Sequence, residues 1–240
     1  HISVSMSMTP EQLLYHISLG DPLVILDDLR EYEGDLFCAA QVVTIEALEF
    51  MVRKGSGLLC LALPRERLED IGIPRFSDLL RAAPAATVAG LDMFRTSWFF
   101  QGAPDTPFHL PVDRRGLASG ISLSDRYATI KALIAPTAHI SQFEVPGHLI
   151  TLGAHPRGLL GRRGHTEAAV ELAQAAGVGP GGLLCEILGD AGEMLKGEDL
   201  EAFASQNGLP MIRISQLSSI IPRLAINRPT GIDTSMSVAI

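Results

Sequence analysis

The sequence predicts a single α/β domain, and three observations favour this class. Apolar runs typical of buried strands are mixed with helical segments, without the regular strand-helix-strand alternation of a purely parallel fold. The chain has no internal repeat, and no linker rich in proline, glycine and serine divides its 240 residues. Hydrophobic residues make up 47% of the chain and charged residues 19%, which is ample for a sizeable packed core.

Helices are predicted where a capping residue precedes a helical run. Thr9 is followed by proline at the first helical position and by Gln12, which completes a capping box. Thr44 caps a second helix, which ends at Gly55, and Ser122 or Ser124 caps a later one. The predicted helices are Pro10 to Ser18, "IEALEFMVRK", "RERLEDIG", "DRYATIKALI", "TEAAVELAQAAG" and Glu198 to Asn207.

Strands are predicted at short apolar runs bounded by turn-forming residues. These runs are "PLVIL", "GLLCLAL", "FHLPVD", "HLITLGA", "GLLCEIL" and "PMIRI". The pattern weakens over residues 73–105, which we interpret as an extended and partly helical insertion. Residues 1–222 are therefore expected to form the domain, and residues 223–240 a loosely held tail.

Charge and cysteine content exclude several classes of function. The net charge of −8 argues against a general nucleic-acid or anionic-membrane binder, since both need an extended basic surface. The three cysteines lie in apolar segments and are odd in number, so they predict reduced core thiols and a cytoplasmic protein. No apolar stretch approaches the roughly 20 residues of a membrane span.

The stretch "LDDLREYEGDL", residues 26–36, places five carboxylates and one arginine directly after a predicted strand. Carboxylates that are close together repel one another, so water must solvate them or a cation must neutralise them. Hard divalent cations such as Mg²⁺ prefer oxygen ligands. A hydrated acidic loop and a metal site are both open interpretations, and the hydrated loop is the more common of the two.

Two further stretches carry candidate chemistry. In "PGHLITLGAHPRGLLGRRGHTEAAVELA", histidines and arginines precede a helix whose N-terminal amides would suit a phosphate. The nucleotide signature GxxxxGK is absent from this stretch, and a loop histidine is more often a plain surface residue. Glu186 interrupts the apolar strand "LLCEIL", where it either faces solvent or serves as a general acid or base.

Taken in order, these stretches resemble the 3,4-dihydroxy-2-butanone 4-phosphate synthases, a family of riboflavin biosynthesis. "DDLREYEGDL" resembles the family's D-D-x-D-R-E-N-E-G-D-L, "RKGSGLLCLAL" its R-x-G-S-G-L-[IV]-C, and "GISLSDRYATI" its G-[IV]-S-A-x-D-R-x-x-T-[IV]. "PGHLITL", "RRGHTEAAVELA" and "GLLCEI" also follow the family closely. The resemblance is specific from Gly116 to Ile214.

The resemblance implies a lyase that uses Mg²⁺ or Mn²⁺ to convert ribulose 5-phosphate into 3,4-dihydroxy-2-butanone 4-phosphate and formate. It also implies a three-layer α/β sandwich with a mixed sheet, and a cytoplasmic homodimer. By position, the implied metal ligands are Glu31 and His165, and the implied catalytic residues are His148, Glu186, Glu33 and Cys60. The implied substrate-binding residues are Arg30, Asp35, Asp27, Arg162, Gly164 and Thr166.

The chain departs from the family pattern in places that should shape the substrate pocket. The acidic loop is one residue shorter between Asp28 and Arg30, Tyr32 replaces the usual asparagine, and His109 and Pro111 replace small polar residues. These changes leave two alternatives open. One is a divergent homologue that acts on another sugar phosphate in specialised metabolism, and the other is a non-catalytic relative that binds a sugar phosphate or a partner.

Overall fold

The structure is a computed structural model, and it describes residues 8–82 and 106–221. The described strands form one sheet of seven strands in the order β4-β5-β3-β6-β2-β1-β7. They are β1 (Leu23–Leu26), β2 (Gly34–Ala39), β3 (Ser56–Pro64), β4 (Val112–Arg114), β5 (Phe143–Ala154), β6 (Gly182–Ile187) and β7 (Met211–Arg213). The sheet is mixed, because the β1/β7 and β3/β5 pairs are parallel and the other four pairs are antiparallel.

Several of the described helices begin directly after a residue whose side chain caps the helix. They are α1 (Pro10–Ser18), α2 (Ile45–Gly55), α3 (Arg65–Ile71), α4 (Phe76–Ala82), α5 (Leu123–Ile134), α6 (His165–Ala175), α7 (Gly197–Gln206) and α8 (Leu217–Ile220). The predicted capping box of Thr9 and Gln12 is present, and Thr44 and Ser122 each accept a hydrogen bond from a first-turn amide. Among the helices of the described ranges, none is long and apolar enough to cross a bilayer.

Alternating strand residues divide the core into two layers, one on each face of the sheet. On one face, Leu36, Leu61 and Cys185 pack with buried residues of α2, α3, α5 and α7. On the other face, Phe37 and Leu184 pack with buried residues of α1, α6 and α8. The molecule is therefore a three-layer α/β sandwich, as the resemblance implied.

Most differences between the predicted and observed elements lie near chain reversals. The sequence pattern did not single out β2, because its first residues continue the acidic stretch. β5 begins five residues before the predicted "HLITLGA", and only the end of "FHLPVD" lies in a strand. The predicted insertion, residues 73–105, was expected to be partly helical, and α4 lies within it. Residues 83–105 and the predicted tail at 223–240 lie outside the described residues.

Candidate active site

A cavity of about 180 Å³ lies on the face of the sheet that α6 covers. It is enclosed by the acidic loop between β1 and β2, by strands β2, β3, β5 and β6, and by the first turn of α6. The residues around it are Glu31, Glu33, Asp35, Leu58, Cys60, Pro107, Phe108, Leu152, Arg162, Gly164, His165, Thr166, Leu184 and Glu186. Acidic side chains, Arg162 and the N-terminal turn of a helix therefore line one cavity together.

The acidic loop is a tight turn built around Asp27. Oδ1 of Asp27 accepts hydrogen bonds from the backbone amides of Leu29 and Arg30, each at 3.0 Å. Its backbone accepts from Tyr32 N at 2.8 Å and donates to Glu33 O at 2.9 Å. The other carboxylate oxygen, Oδ2, is buried and has no hydrogen-bond partner among the described residues. A buried anionic oxygen without a partner is costly, so this geometry favours a cation beside it.

Asp27, Glu31 and His165 each offer one potential ligand atom, and the three atoms lie within 4.8 Å of one another. His165 Nε2 lies 3.1 Å from the carbonyl oxygen of Ile25. Because a carbonyl can only accept, Nε2 carries the proton and Nδ1 presents a lone pair. A ligating histidine commonly donates its second ring nitrogen in this way. Two carboxylates and one imidazole fit Mg²⁺ or Mn²⁺.

Asp35 and Glu186 lie opposite each other on the paired strands β2 and β6. Burial raises the pKa of Asp35 to about 6, and the negative charges of Glu186, Glu31 and Glu33 add to this rise. His165 acts in the opposite direction and lowers the pKa of Asp35 in part. Glu186 is exposed toward the cavity and accepts a hydrogen bond from Leu58 N at 3.2 Å. Asp35 can therefore exchange a proton at a pH closer to neutrality than an ordinary aspartate does.

His148 and Asp113 form a second arrangement at the β4/β5 edge. Asp113 accepts from His148 Nδ1 at 2.6 Å and from its backbone amide at 2.9 Å. The carboxylate fixes the ring tautomer, which leaves Nε2 free to accept a proton. Gly120 closes over this pair with a φ of +77°, and a Cβ at that position would overlap both side chains.

The comparison with known proteins matches this architecture. The family model of 3,4-dihydroxy-2-butanone 4-phosphate synthase matches residues 11–220. The chain belongs to the 3,4-dihydroxy-2-butanone 4-phosphate synthase family. A synthase of Bordetella pertussis is 36% identical over 231 residues, which is 95% of this chain and 90% of the relative. The riboflavin biosynthesis protein RibBA of Aquifex aeolicus is 40% identical, over 87% of this chain and 48% of that longer relative.

Solved synthase structures have the same fold. The synthase of Candida albicans superposes with a TM-score of 0.72 at 33% identity, covering 89% of this chain and 97% of that one. A synthase in complex with two magnesium ions gives a TM-score of 0.75 at 32% identity, covering 91% of this chain and 98% of that one. The family assignment thus makes the chain an enzyme of the riboflavin-biosynthesis class.

Nine of the twelve site residues that the synthase resemblance implied lie around the cavity. They are Glu31, Glu33, Asp35, Cys60, Arg162, Gly164, His165, Thr166 and Glu186. Asp27 was implied to bind substrate, but it lies beside the implied metal ligands Glu31 and His165. Its position therefore favours a role as a metal ligand. Arg30 and His148 are not among the cavity residues of the described chain. The Arg30 guanidinium lies 3.8 Å from Glu31 and is 39% exposed.

Cys60 lies in the cavity wall as a neutral thiol. Its side chain is buried, and burial together with the nearby charges of Asp35 and Glu186 raises the pKa of the thiol. A thiolate is the nucleophilic form of cysteine, so the raised pKa disfavours this side chain as a nucleophile at neutral pH. Its catalytic role stays a prediction, and the structure favours a role in packing.

Sequence reasoning missed three polar partners of the synthase site. Asp113 orients His148, Glu167 binds Arg162 at 2.8 Å, and Lys196 pairs with Glu33 at 2.9 Å. Glu167 lies in the quoted stretch "RRGHTEAAVELA". A carboxylate at the third position of a helix commonly interacts with groups at the helix N-terminus, so the sequence offered a signal for this contact. Asp113 and Lys196 approach the site only through strand pairing and an isolated bridge, so local sequence patterns could not reveal them.

Proposed function

We propose that the protein converts ribulose 5-phosphate into 3,4-dihydroxy-2-butanone 4-phosphate and formate, with Mg²⁺ or Mn²⁺ bound by Asp27, Glu31 and His165. The observation that supports this most is that potential ligand atoms of those three residues lie within 4.8 Å of one another, and that Glu31 and His165 line the same cavity as Arg162. The reaction balances without an oxidant, because five carbons become four plus one and all oxygens are retained. No organic cofactor is needed.

The substrate phosphate would bind at the first turn of α6. There Arg162 supplies charge, Gly164 and Thr166 belong to the turn, and the free amides of the helix N-terminus donate to anions. Since the protein carries a net charge of −8, local arginines must provide this anion affinity. The sugar hydroxyls would then extend toward the acidic loop.

Proton movement is assigned to the acidic side chains that line the cavity. Asp35, whose pKa is raised to about 6 chiefly by burial, can give a proton to, or take one from, sugar oxygens and carbons. Glu33 and Glu186 lie beside it, and His148 would serve as an additional base through its free Nε2. A bound divalent cation would polarise the ketone and hydroxyl oxygens and stabilise negative charge on them.

We further propose that the protein works as a cytoplasmic homodimer in which His148 reaches the cavity of the second copy. Two observations support this arrangement. The His148 side chain is 49% exposed, and His148 does not line the described cavity of its own chain. The three cysteines are free and buried, in keeping with a reducing compartment.

The direct test is incubation of the purified protein with ribulose 5-phosphate and Mg²⁺, with and without EDTA. We expect metal-dependent release of formate, and NMR of the product should show the four-carbon phosphate. His148→Ala and Glu31→Gln serve as controls that should abolish turnover. Tight binding of ribulose 5-phosphate with no formate would contradict the proposal and favour a non-catalytic relative, and turnover of a different sugar phosphate would favour the divergent homologue.

The metal site can be tested separately by comparing asparagine substitutions at two neighbouring aspartates, Asp27 and Asp28. Asp27→Asn keeps an oxygen for the amides of Leu29 and Arg30 but removes the charge of the unpaired Oδ2. We expect Mn²⁺ affinity, measured by EPR, to fall about ten-fold or more. Asp28→Asn is the matched control, because Asp28 binds Ser215 outside the cluster and its loss should leave Mn²⁺ binding unchanged. Equal affinities in the parent and Asp27→Asn would remove Asp27 from the site.

A further inference from the structure

Glu167 is a carboxylate with no exposed surface in the first turn of α6. Burial of a charge is costly unless partners replace the lost water. Glu167 has two such partners: Oε2 accepts from Arg162 Nη1 at 2.8 Å, and Oε1 accepts from the backbone amide of His155 at 2.9 Å. One side chain therefore ties the end of β5 to the arginine that precedes the helix.

Arg162 is held at one edge only. Its Nη1 binds Glu167, whereas its Nε is buried and has no hydrogen-bond partner among the described residues. The side chain is 22% exposed and lines the cavity. The guanidinium is thus held by Glu167 on one side, and the exposed part of the side chain that lines the cavity can bind an anion there.

Gly164 allows this ion pair to form. A Cβ at Gly164 would lie 2.7 Å from Nη1 of Arg162 and 3.2 Å from Oε2 of Glu167. The first distance is shorter than a carbon can approach and the second is a tight contact, so an added Cβ would push the Arg162 guanidinium out of its place. The backbone here is therefore shaped around the contact between Arg162 and Glu167.

We propose that Glu167 is a positioning residue for substrate binding: it fixes the Arg162 guanidinium before the sugar phosphate arrives. A free arginine side chain must give up several rotamers on binding, and the contact with Glu167 restricts them in advance. Glu167 acts through Arg162 and does not line the cavity itself. This inference rests on the proposed function, since it assigns Arg162 to the substrate phosphate.

A double-mutant cycle in the Mg²⁺-loaded protein tests the proposal. We expect Glu167→Gln to raise KM for ribulose 5-phosphate about ten-fold with little change in kcat. In an Arg162→Met background, Glu167→Gln should leave KM unchanged, because the residue through which it acts is already lost. An equal rise in KM in both backgrounds, or no rise in the parent background, would overturn the proposal.

Two controls separate positioning from a general loss of structure. Glu171, one turn further along α6, is also buried and accepts from the Leu159 amide of the same loop. Glu171→Gln should lower the melting temperature but leave KM near that of the parent, and a matching rise in KM would contradict positioning by Glu167. If Glu167→Gln does not fold, Glu167→Asp takes its place in the cycle, because a shorter carboxylate keeps the charge but cannot reach both partners.

The outcome also distinguishes this inference from the proposed function. If the parent protein does not turn over ribulose 5-phosphate, the function is wrong, and the cycle is then measured with inorganic phosphate by its protection against thermal unfolding. Loss of that protection in Glu167→Gln, with no further loss in the Arg162→Met background, would support positioning. Equal protection in the parent and Glu167→Gln would overturn it.

Discussion

Tyr32 adopts a backbone conformation that is unusual for a tyrosine. Its φ is +56°, in the left-handed region, and its side chain is 61% exposed. Asparagine tolerates this region better than most residues, which gives a physical reason why asparagine is usual at this position in the family pattern. Tyrosine at this position therefore costs conformational energy.

Replacing Tyr32 by asparagine should stabilise the protein. We expect Tyr32→Asn to raise the free energy of unfolding by about 1 kcal/mol, measured by urea denaturation, because the strained φ becomes less costly. Tyr32→Phe is the control, and it should be neutral because phenylalanine retains the same strain. A Tyr32→Asn variant as stable as the parent would show that the loop energy does not depend on this φ.

Asp35 should make the metal-free protein less stable as the pH rises. Its folded pKa is about 6, against 3.8 for an ordinary aspartate, so folding favours the protonated form. The stabilising contribution of that proton is complete below pH 3.8 and is lost as the pH passes through about 6. In EDTA, the stability gained by Asp35→Asn should thus be larger at pH 8 than at pH 4 by about 2 kcal/mol.

The measurement is urea denaturation of the parent and Asp35→Asn across that range. Glu46→Gln is a suitable control, since this first-turn residue of α2 lies on the opposite layer from the cavity. A difference between parent and Asp35→Asn that stays constant from pH 4 to pH 8 would contradict the raised pKa.

At the scale of elements, the loop between β4 and α5 determines the geometry of His148. Gly120 in this loop approaches Asp113 and His148 so closely that it leaves no room for a side chain. The Asp125 carboxylate fixes the same loop by accepting from the amides of Ser119 and Gly120. The loop therefore packs directly over the Asp113–His148 pair and restricts where these side chains can lie.

Gly120→Ala should disturb this pair without unfolding the domain. We expect formate release to fall 10- to 100-fold, roughly the cost of losing a residue that orients a functional histidine. Gly116→Ala is a closely matched control: Gly116 has a φ of +80°, but nothing lies within 4 Å of an added Cβ. An equal loss of activity in the two variants would show that backbone strain, and not the contact with Asp113 and His148, lowers the rate. Parent activity in Gly120→Ala would show that neither matters.

The sequence predicted most elements because their signals are local. Thr9, Thr44 and Ser122 cap helices through hydrogen bonds to residues only a few positions away. β2 was missed because its burial depends on neighbours from both β1 and β6, which no local pattern contains. The same limit applies to the site: nine residues within the matched motifs line the cavity, whereas Asp113 and Lys196 contact His148 and Glu33 only through tertiary structure.

At the scale of the whole molecule, the proposed dimer can be tested by mixing inactive variants. If each site takes Glu31 from one chain and His148 from the other, a mixed dimer of Glu31→Gln and His148→Ala contains one intact site. A randomly reassorted equal mixture should then recover about a quarter of the parent activity.

The two variants should be co-refolded and assayed for formate release beside each variant alone. Reassortment itself is checked by native mass spectrometry with a mass tag on one variant. No recovered activity, in a mixture where mixed dimers are detected, would show that each chain completes its own site and would contradict the exchange of His148.

The sheet order has a consequence for how two copies can meet. The edge strands, β4 and β7, have only three residues each. Such short edges offer few free backbone groups, so a second chain could add little by extending the sheet, and cross-β aggregation is disfavoured there. The proposed dimer would therefore rest on side chains, such as the exposed Ile121 and Val145, which lie near His148 in the sequence or beside Gly120.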